Sequence, residues 1–469
     1  MDHFLIRGGS RLSGTVEISG SKNAALPIMA ACLMADGVTQ LHRVPALSDI
    51  DAMTRLLIDL GCRVTRGTPR KIDIPNHPDL DGTLSIEVID PTCIDPGDDV
   101  AKSMRASICV LGPLLARRKK AILAQPGGCP IGDRPVDLHL KGLAKLGAHF
   151  YRENGCIVGE APHGLRGATV FLGGASGPTV LGTINVMTAA TLAEGETRIV
   201  GAACEPEVLD TAKLLNAMGA KITGAGTSEI VIEGVTHLHG ANHTVIPDRI
   251  ETGTFMVAAA MTGSELHLRG GRIDHLIAFV DRLEQAGASI SERNGDVIIK
   301  GHSNGRPQPV DYVTWPYPGY PTDLQAQLMA MLATADGKSR VIEHIYPQRF
   351  THATELARMG AQIEVSGSTA WIDGVNTLVG ATVRASDLRA SAALLLAAMS
   401  ASGSSKLDRV DHIDRGYEKI EQKLACVGAE IDRCSTKPKL TVSVSVPEPT
   451  SKSANTMVTD RAVDKQIVA

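Results

Sequence analysis

The chain has 469 residues, of which 43% are hydrophobic and 21% are charged, and its formal net charge is −4. This length is too great for one hydrophobic core, so two domains of ordinary size are predicted. The charge balance argues against binding to nucleic acid or to an anionic membrane, and an aromatic content of 3% argues against base stacking. Nine cysteines without regular spacing do not form a disulfide framework. Because the start resembles no secretory leader and no apolar run could span a bilayer, we expect a cytoplasmic protein.

A helix-like run that ends in a glycine and continues into a strand-like segment recurs six times along the chain. The glycines lie at intervals of about 70 to 85 residues and are Gly61, Gly147, Gly219, Gly287, Gly360 and Gly428. Each suits the position just after a helix, where the backbone turns left-handed. A second helical stretch lies upstream, as at residues 24–34, 187–192, 326–333 and 390–399. A short strand separates the two helices, as at residues 198–200 and 340–342.

The repeated unit is therefore predicted to be strand–helix–strand–helix–strand. Six such βαβαβ units in two groups of three predict an α/β (α+β) protein of two similar domains, with helices packed inside sheets. The alternative is coincidence, because glycine follows helices in many proteins. Six glycines with matching flanks favour the repeat.

The first candidate site is the segment Gly20-Ser21-Lys22-Asn23, which follows a strand and opens a helix. Free backbone amides at a helix N-terminus, with a lysine beside them, form a natural anion site. For these residues alone, a solvated surface lysine is the better interpretation. Further along, repeated Pro and Asp at residues 73–99 predict a surface loop, followed by a helix at residues 100–118.

A glycine-flanked thiol is the second candidate. Cys129 follows Gly127 and Gly128 and precedes Gly132, and Arg134 lies five residues beyond it. The glycines predict a loop, and a nearby guanidinium favours the thiolate. A nucleophile, a redox sensor and a thiol without function all remain open. The other eight cysteines lie mostly in apolar or nondescript surroundings and are predicted to be small buried hydrophobes.

Arginines occupy comparable places in several repeats, and they are Arg105, Arg134, Arg349, Arg389 and Arg415. Arginine offers fixed bidentate donors to carboxylates and phosphates. A surface ion pair is the alternative for any one of them. Their recurrence in a chain of nearly balanced charge favours a convergent pocket for a ligand with more than one anionic group.

Asp323 lies in the first turn of a predicted helix at residues 320–327. A helix cap is one interpretation, and a general base or hydroxyl-orienting group is the other. The histidines at 139, 344, 352 and 412 lack metal-ligand spacing, and no CxxC pair occurs, so no metal site is expected. Glycine-rich nucleotide loops are also absent from the sequence. The repeat stops near residue 436, where residues 440–446 could add a strand and the rest of 436–469 is predicted to be disordered.

In their order along the chain, these segments resemble the enolpyruvyl transferases, and within them the UDP-N-acetylglucosamine 1-carboxyvinyltransferase family of bacterial peptidoglycan synthesis. The agreement runs from Phe4 to about Asp432. It is carried by residues 20–26, 104–107, 127–139, 205–210, 247–254, 320–327, 387–391 and 412–418. The sister enzymes that use shikimate 3-phosphate share the fold but are not expected to carry the cysteine loop.

The resemblance implies two domains that close on substrate, formed by residues 1–20 plus 247–435 and by residues 21–246. It implies transfer of the enolpyruvyl group of phosphoenolpyruvate to the 3′-hydroxyl of UDP-N-acetylglucosamine, the first committed step of peptidoglycan synthesis. Phosphate leaves through a tetrahedral addition intermediate. No cofactor, metal or obligate protein partner is implied, although Cys129 can hold a covalent phospholactoyl or pyruvate adduct.

Residue roles also follow from the resemblance. Cys129 would be the general acid that protonates the methylene carbon, Asp323 would take or orient the 3′-hydroxyl proton, and Lys22 and Arg415 complete the catalytic set. The residues implied to bind phosphoenolpyruvate are Lys22, Asn23, Arg134, Arg349, Arg389 and Arg415. Those implied to contact UDP-N-acetylglucosamine are Arg105, Arg134, Pro135, Val136, Asp137, Leu138, Asp323 and Ile345.

One segment departs from the family pattern. Residues 177–182 read Gly-Pro-Thr-Val-Leu-Gly where members often have a lysine and Ser-Val-Gly, so no contact is assigned to Thr179 or Val180. Two other functions remain open. One is the same fold with a different acceptor, such as shikimate 3-phosphate, and the other is a non-catalytic sensor of sugar nucleotides.

Overall fold

The computed structural model of the protein describes residues 2–67, 82–127, 132, 135–302 and 306–435. Residues Met1–Ser435 form one compact unit. Two hydrophobic cores lie within it, one built from residues 4–18 and 250–431 and the other from residues 24–245. The chain passes between the cores at Gly20 and Pro247, which form an antiparallel bridge. The predicted domain boundaries are taken up below as part of the proposed function.

The α/β repeat predicted from the six glycines is confirmed, with one extension. A complete unit consists, in chain order, of Tyr312–Val313, Gln325–Leu332, Lys338–Ile342, Thr351–Arg358, Gln362–Ser366 and Thr369–Asp373. Its first two strands are parallel and its last two pair antiparallel as a hairpin. The unit therefore ends in two strands where the sequence predicted one.

Three four-stranded sheets surround the first core. In spatial order, their strands are Thr382–Arg384, Ser404–Asp408, His3–Arg7 and Glu430–Cys434; Ser289–Arg293, Asp296–Lys300, Glu265–Arg269 and Ser13–Glu17; and Tyr312–Val313, Lys338–Ile342, Thr369–Asp373 and Gln362–Ser366. Each sheet has one parallel pair and two antiparallel pairs.

The described part of the second core has three comparable sheets. Their strands are Asn242–Thr244, Val38–His42, Leu84–Val88 and Cys62–Arg66; Lys120–Ala124, Cys156–Glu160 and His149–Glu153; and Thr169–Phe171, Glu196–Val200, Glu229–Glu233 and Lys221–Thr223. Two short pairs, Gly173–Gly174 with Gly177–Pro178 and Ala35–Asp36 with Leu238–His239, complete the described strands.

Helices rich in Ala, Leu and Met fill the space inside the sheets, and most of their residues are buried. These inner helices are Arg249–Thr262, Gln325–Leu332 and Leu388–Ser400 in the first core, and Lys22–Ala31, Leu111–Arg118 and Val180–Ala190 in the second. A helix that is apolar on nearly all faces is stable only when it is enclosed in this way.

The remaining helices present one apolar face to the cores. They are Ser48–Asp59, Asp98–Ser103, Asp137–Lys145, Pro206–Ala217, Ile277–Gln285, Thr351–Arg358 and Ile420–Cys426. Short 3₁₀ turns occupy Cys32–Met34, Arg105–Val110, Thr322–Leu324 and Val410–Arg415. No helix in the described ranges is both long enough and apolar enough to cross a membrane.

All six repeat glycines adopt the left-handed conformation that the sequence predicts. Their φ angles lie between +80° at Gly61 and +105° at Gly428. At Gly61 a side chain is also excluded by space, because an added Cβ would lie 2.3 Å from the carbonyl oxygen of Asp90. Each glycine ends an outer helix and turns the chain back into the sheet.

Two predictions about residues 73–118 were wrong in part. Residues 73–81 of the expected loop lie outside the described residues, and the described part contains the strand Leu84–Val88, which pairs with the strands on both sides of it in its sheet. The expected continuous helix breaks at Met104, whose backbone is extended at φ −143° and ψ 150°. The break is stabilised because the Ser107 hydroxyl lies 2.8 Å from the carbonyl oxygen of Ala101 and 2.9 Å from that of Met104.

Candidate active site

A cleft of about 590 Å³ is lined by residues from both cores. It contains most of the predicted site residues, namely Lys22, Asn23, Arg105, Pro135, Asp137, Leu138, Asp323, Ile345, Arg349, Arg389 and Arg415. Cys129 and Arg134 lie outside the described residues, as does the tail at 436–469. The side chain of Val136 packs in the second core and does not line the cleft.

Lys22 is held at the start of an inner helix and is not a solvated surface lysine. The Ser21 hydroxyl caps the helix by accepting from the Ala24 amide at 3.3 Å. The Lys22 ammonium lies 3.2 Å from a carboxylate oxygen of Asp49, and the two side chains are only 12% and 9% exposed. A helix N-terminus and a partly buried ammonium together favour an anionic ligand at this end of the cleft.

Asp49 joins two of the predicted cations across the cleft. Its Oδ2 accepts from Lys22, and its Oδ1 accepts from the Arg415 Nε at 2.9 Å. Burial opposes ionisation of this carboxyl, but the charges of Lys22 and Arg415 outweigh burial and lower its pKa. Lys22 and Asp49 belong to the second core and Arg415 to the first, so the ion pair spans both.

Asp323 holds a second pair of predicted cations. Its Oδ1 lies 3.0 Å from Arg349 Nη1 and its Oδ2 lies 2.9 Å from Arg389 Nη2, while the Asn23 amide lies 3.5 Å away. Although burial opposes ionisation, the two guanidinium groups hold the pKa of Asp323 well below its usual value. The turn Thr322–Leu324 shows no side-chain capping hydrogen bond, so the cap interpretation does not describe this carboxylate.

Arg389 is fixed by its helix and by an aromatic ring. Asp387 caps the helix Leu388–Ser400 by accepting from the amides of Arg389 and Ala390 at 2.9 and 3.1 Å. The guanidinium carbon lies 5.4 Å from the centre of the Tyr417 ring, a distance typical of a cation–π contact. These contacts aim the guanidinium at Asp323 within the cleft.

A neutral histidine, His139, lines the cleft close enough to Arg105 to be influenced by its charge. Burial, with a further contribution from Arg105, lowers the pKa of His139 to about 3. Its Nδ1 lies 3.1 Å from the amide nitrogen of Asn185, whose oxygen is fixed by the Gly112 amide at 2.6 Å. The Asn185 nitrogen must therefore donate, which places the imidazole proton on Nε2. At neutral pH this histidine does not carry a positive charge.

Sequence reasoning gave no role to Glu205, Glu207, Arg249 or Asp49, although all four line the cleft. Arg249 Nε donates to Glu207 at 2.9 Å, and burial raises the pKa of Glu205. The segments 205–210 and 247–254 contain Glu205, Glu207 and Arg249. The agreement of these segments with the family was the feature of the sequence that could have identified the three residues. Asp49 lies in the first turn of an outer helix, where an acidic residue ordinarily serves the helix dipole.

Known proteins that match the chain agree along most of its length. A family model described as EPSP synthase (3-phosphoshikimate 1-carboxyvinyltransferase) matches residues 6–424. A UDP-N-acetylglucosamine 1-carboxyvinyltransferase from Akkermansia muciniphila is 50% identical over 436 residues, which cover 92% of this chain and 99% of the relative. One from Afipia carboxidovorans is 48% identical over 93% of this chain and all of the relative.

The chain belongs to the UDP-N-acetylglucosamine 1-carboxyvinyltransferase family. Solved structures show the same fold at lower identity. The enolpyruvyl transferase NikO from Streptomyces tendae superposes with a TM-score of 0.82 at 24% identity, covering 92% of this chain and 99% of that one. An EPSP synthase from Acinetobacter baumannii gives a TM-score of 0.70 at 19% identity, covering 93% and 100%.

At residues 177–182, where the sequence departs from the pattern of the UDP-N-acetylglucosamine 1-carboxyvinyltransferase family, the structure has a short strand followed by a capped helix. Residues Gly177–Pro178 form a short strand, and Thr179 caps the following helix by accepting from the Gly182 amide at 3.3 Å. Thr179 and Val180 both line the cleft. The Thr179 hydroxyl thus caps the helix N-terminus within the segment that departs from the family pattern.

Proposed function

We propose that the chain transfers the enolpyruvyl group of phosphoenolpyruvate to the 3′-hydroxyl of UDP-N-acetylglucosamine and releases phosphate. The observation that carries the proposal is a cleft in which five predicted cations converge from both cores, in a chain 50% identical to a named relative over 92% of its length. Phosphoenolpyruvate carries a phosphate and a carboxylate, and the sugar nucleotide carries a diphosphate. Clustered cations stabilise such anions and the charge that develops during their reaction.

Lys22, Asn23, Arg134, Arg349, Arg389 and Arg415 are proposed to bind phosphoenolpyruvate. Two carboxylates already orient four of these cations, because Asp49 pairs with Lys22 and Arg415 while Asp323 pairs with Arg349 and Arg389. An anionic substrate would compete with the carboxylates for the same donors. The site is thus arranged for anions before the substrate arrives, which lowers the cost of ordering it.

Asp323 is proposed to orient the 3′-hydroxyl and to take its proton. With two guanidinium groups beside it, the carboxylate is a weak base, because its pKa is well below the usual value. When the phosphate or carboxylate of phosphoenolpyruvate draws Arg349 and Arg389 away, the same carboxylate becomes more basic. Binding of one substrate would therefore activate the group that deprotonates the other.

Arg105, residues 134–138, Asp323 and Ile345 are proposed to contact UDP-N-acetylglucosamine. Pro135, Asp137 and Leu138 line the cleft at the start of the helix Asp137–Lys145. Because the Val136 side chain is packed in the core, its proposed contact is limited to the main chain. Ile345 lies across the cleft in the segment that follows the strand Lys338–Ile342.

The proposal includes two domains, residues 1–20 plus 247–435 and residues 21–246. The two separate hydrophobic cores and the paired crossings at Gly20 and Pro247 support these boundaries. A cleft lined from both cores could close on substrate by movement about these crossings. Both proposed substrates are cytoplasmic metabolites, so a cytoplasmic location is also proposed.

Cys129 is proposed to protonate the methylene carbon and to hold a covalent adduct at times. Replacing Cys129 with Ala is expected to lower phosphate release at least 100-fold, since a positioned general acid contributes roughly 10²- to 10⁴-fold. Replacement with Asp is expected to retain much more activity, because a carboxylic acid can deliver the same proton. The measurement is phosphate release from phosphoenolpyruvate in the presence and absence of UDP-N-acetylglucosamine.

The buried Cys109→Ala variant is the control for loss of a thiol outside the cleft. Full turnover by Cys129→Ala would remove the proposed role of this residue. Release of phosphate only when shikimate 3-phosphate replaces the sugar nucleotide would instead favour the sister activity. Binding of both substrates by the wild-type protein without any turnover would favour a sensor.

A further inference from the structure

Glu343 is a buried carboxylate that lies next to the cleft but does not line it. It follows the strand Lys338–Ile342 and precedes the segment that carries Ile345 and Arg349. Its two oxygens have four hydrogen-bond partners, all of them neutral hydroxyl or amide groups. Thr314, Ile345 and Tyr346 bond to Oε1 at 2.7, 2.9 and 2.9 Å, and Thr322 bonds to Oε2 at 2.9 Å.

The direction of the Thr322 hydrogen bond follows from its other partner. Arg349 Nη1 donates to the Thr322 hydroxyl oxygen at 2.9 Å. A guanidinium has no acceptor, so the hydroxyl proton must point to Glu343. The same Arg349 nitrogen also donates to Asp323 at 3.0 Å. A directed chain of hydrogen bonds therefore links Glu343 through Thr322 and Arg349 to Asp323.

The other oxygen of Glu343 fixes the main chain of the segment that enters the cleft. It accepts the amides of Ile345 and Tyr346, and Tyr346 in turn accepts the Arg349 amide through its carbonyl at 2.9 Å. The Thr314 hydroxyl accepts from the His344 amide at 2.9 Å, so its proton also points to Glu343. Both the main chain and the side chain of Arg349 are thus tied to one carboxylate.

We propose that Glu343 is a positioning residue that acts through the Thr322 hydroxyl to orient Arg349 and Asp323, so that Asp323 can accept the proton of the 3′-hydroxyl. The inference rests on the proposed function, because Asp323 and Arg349 are the groups that it assigns to the acceptor hydroxyl and to phosphoenolpyruvate. Glu343 touches neither substrate in this account. It acts by fixing the donors that hold Asp323 in one geometry, and small misplacements of such groups lower the rate strongly.

Replacing Glu343 with Gln tests the chain of hydrogen bonds selectively. The amide oxygen can keep the three donors at Oε1, which places the amide nitrogen against Thr322. The Thr322 hydroxyl can then no longer donate in that direction, so its proton, and with it the hydrogen bond that its oxygen accepts from Arg349, is no longer held in one orientation. We expect kcat to fall roughly 10- to 100-fold, the factor associated with a hydrogen bond to a charged group, while KM for the sugar nucleotide changes little.

A double-variant cycle separates positioning from general destabilisation. If Glu343 acts through Thr322, then Thr322→Val should lower kcat similarly, and the double variant should lose little more than either single variant. Thr322→Ser keeps the hydroxyl and should retain activity. The control is Glu364→Gln, which changes an exposed glutamate in the edge strand Gln362–Ser366 of the same sheet.

Additive losses, a raised KM for the sugar nucleotide and a lower melting temperature in Glu343→Gln would overturn the inference in favour of a structural role. Unchanged kcat in Glu343→Gln beside an active wild-type enzyme would overturn it while leaving the proposed function intact. A wild-type protein that transfers nothing to UDP-N-acetylglucosamine would overturn the proposed function and this inference together.

Discussion

Replacing Asp323 with Asn is expected to lower kcat by about three orders of magnitude, within the range for loss of a positioned proton acceptor. Asn has nearly the same shape, but it cannot accept the proton of the 3′-hydroxyl. Its amide nitrogen would also face one of the two guanidinium groups that now lie 3.0 and 2.9 Å from the carboxylate. The measurement is phosphate release at saturating concentrations of both substrates.

The matched control is Asp336→Asn, which removes an exposed carboxylate that is paired with Arg306 and does not line the cleft. This variant should turn over at the wild-type rate. Melting temperatures of both variants show whether either change disturbs the fold. Activity of Asp323→Asn within a few-fold of wild type would show that the proton of the acceptor leaves by another route.

Replacing Lys423 with Met is expected to lower the free energy of unfolding by about 3–5 kcal/mol, as for other buried ion pairs that lose one partner. The Lys423 ammonium lies 2.7 Å from Glu251 and 2.8 Å from the Ser19 hydroxyl, and the two charged side chains are only 5% and 2% exposed. Glu251 also accepts the Ser19 amide at 2.6 Å. Without Lys423, the Glu251 carboxylate would remain buried beside the crossing at Gly20 without its hydrogen-bonded cation, leaving only the longer-range attraction to Arg43.

The free energy of unfolding in urea is measured for Lys423→Met and for Lys338→Met, which removes the lysine of an exposed ion pair. Lys338 lies 3.4 Å from Asp373, but these side chains are 82% and 51% exposed, so its loss should cost less than about 1 kcal/mol. Equal destabilisation by the two variants would show that burial of the Lys423–Glu251 pair does not set its contribution.

Local sequence patterns were sufficient to predict the repeat and several cations of the cleft. The residues that identify a helix-ending glycine lie within a few positions of it in the sequence. The left-handed conformation of the six glycines from Gly61 to Gly428 was therefore predicted correctly. Lys22 was ambiguous by itself, since a lysine at a helix start is common at surfaces. The structure resolved the ambiguity by burying Lys22 against Asp49.

What the sequence could not supply were contacts between distant residues. Asp49 and Arg415 are 366 positions apart, and nothing near Asp49 distinguishes it from an acidic residue that serves the helix dipole. Glu343 was missed for the same reason, because two of its four donors, Thr314 and Thr322, lie 29 and 21 positions away in the sequence. The strand Leu84–Val88 was missed because the surrounding Pro and Asp residues outweighed a five-residue alternation.

Product analysis by mass spectrometry tests the central claim most directly. The wild-type protein would be incubated with phosphoenolpyruvate, UDP-N-acetylglucosamine and shikimate 3-phosphate together. We predict that only the sugar nucleotide gains the mass of one enolpyruvyl group, with one phosphate released for each product formed. An enolpyruvyl adduct of shikimate 3-phosphate, or an unmodified sugar nucleotide after long incubation, would contradict the account.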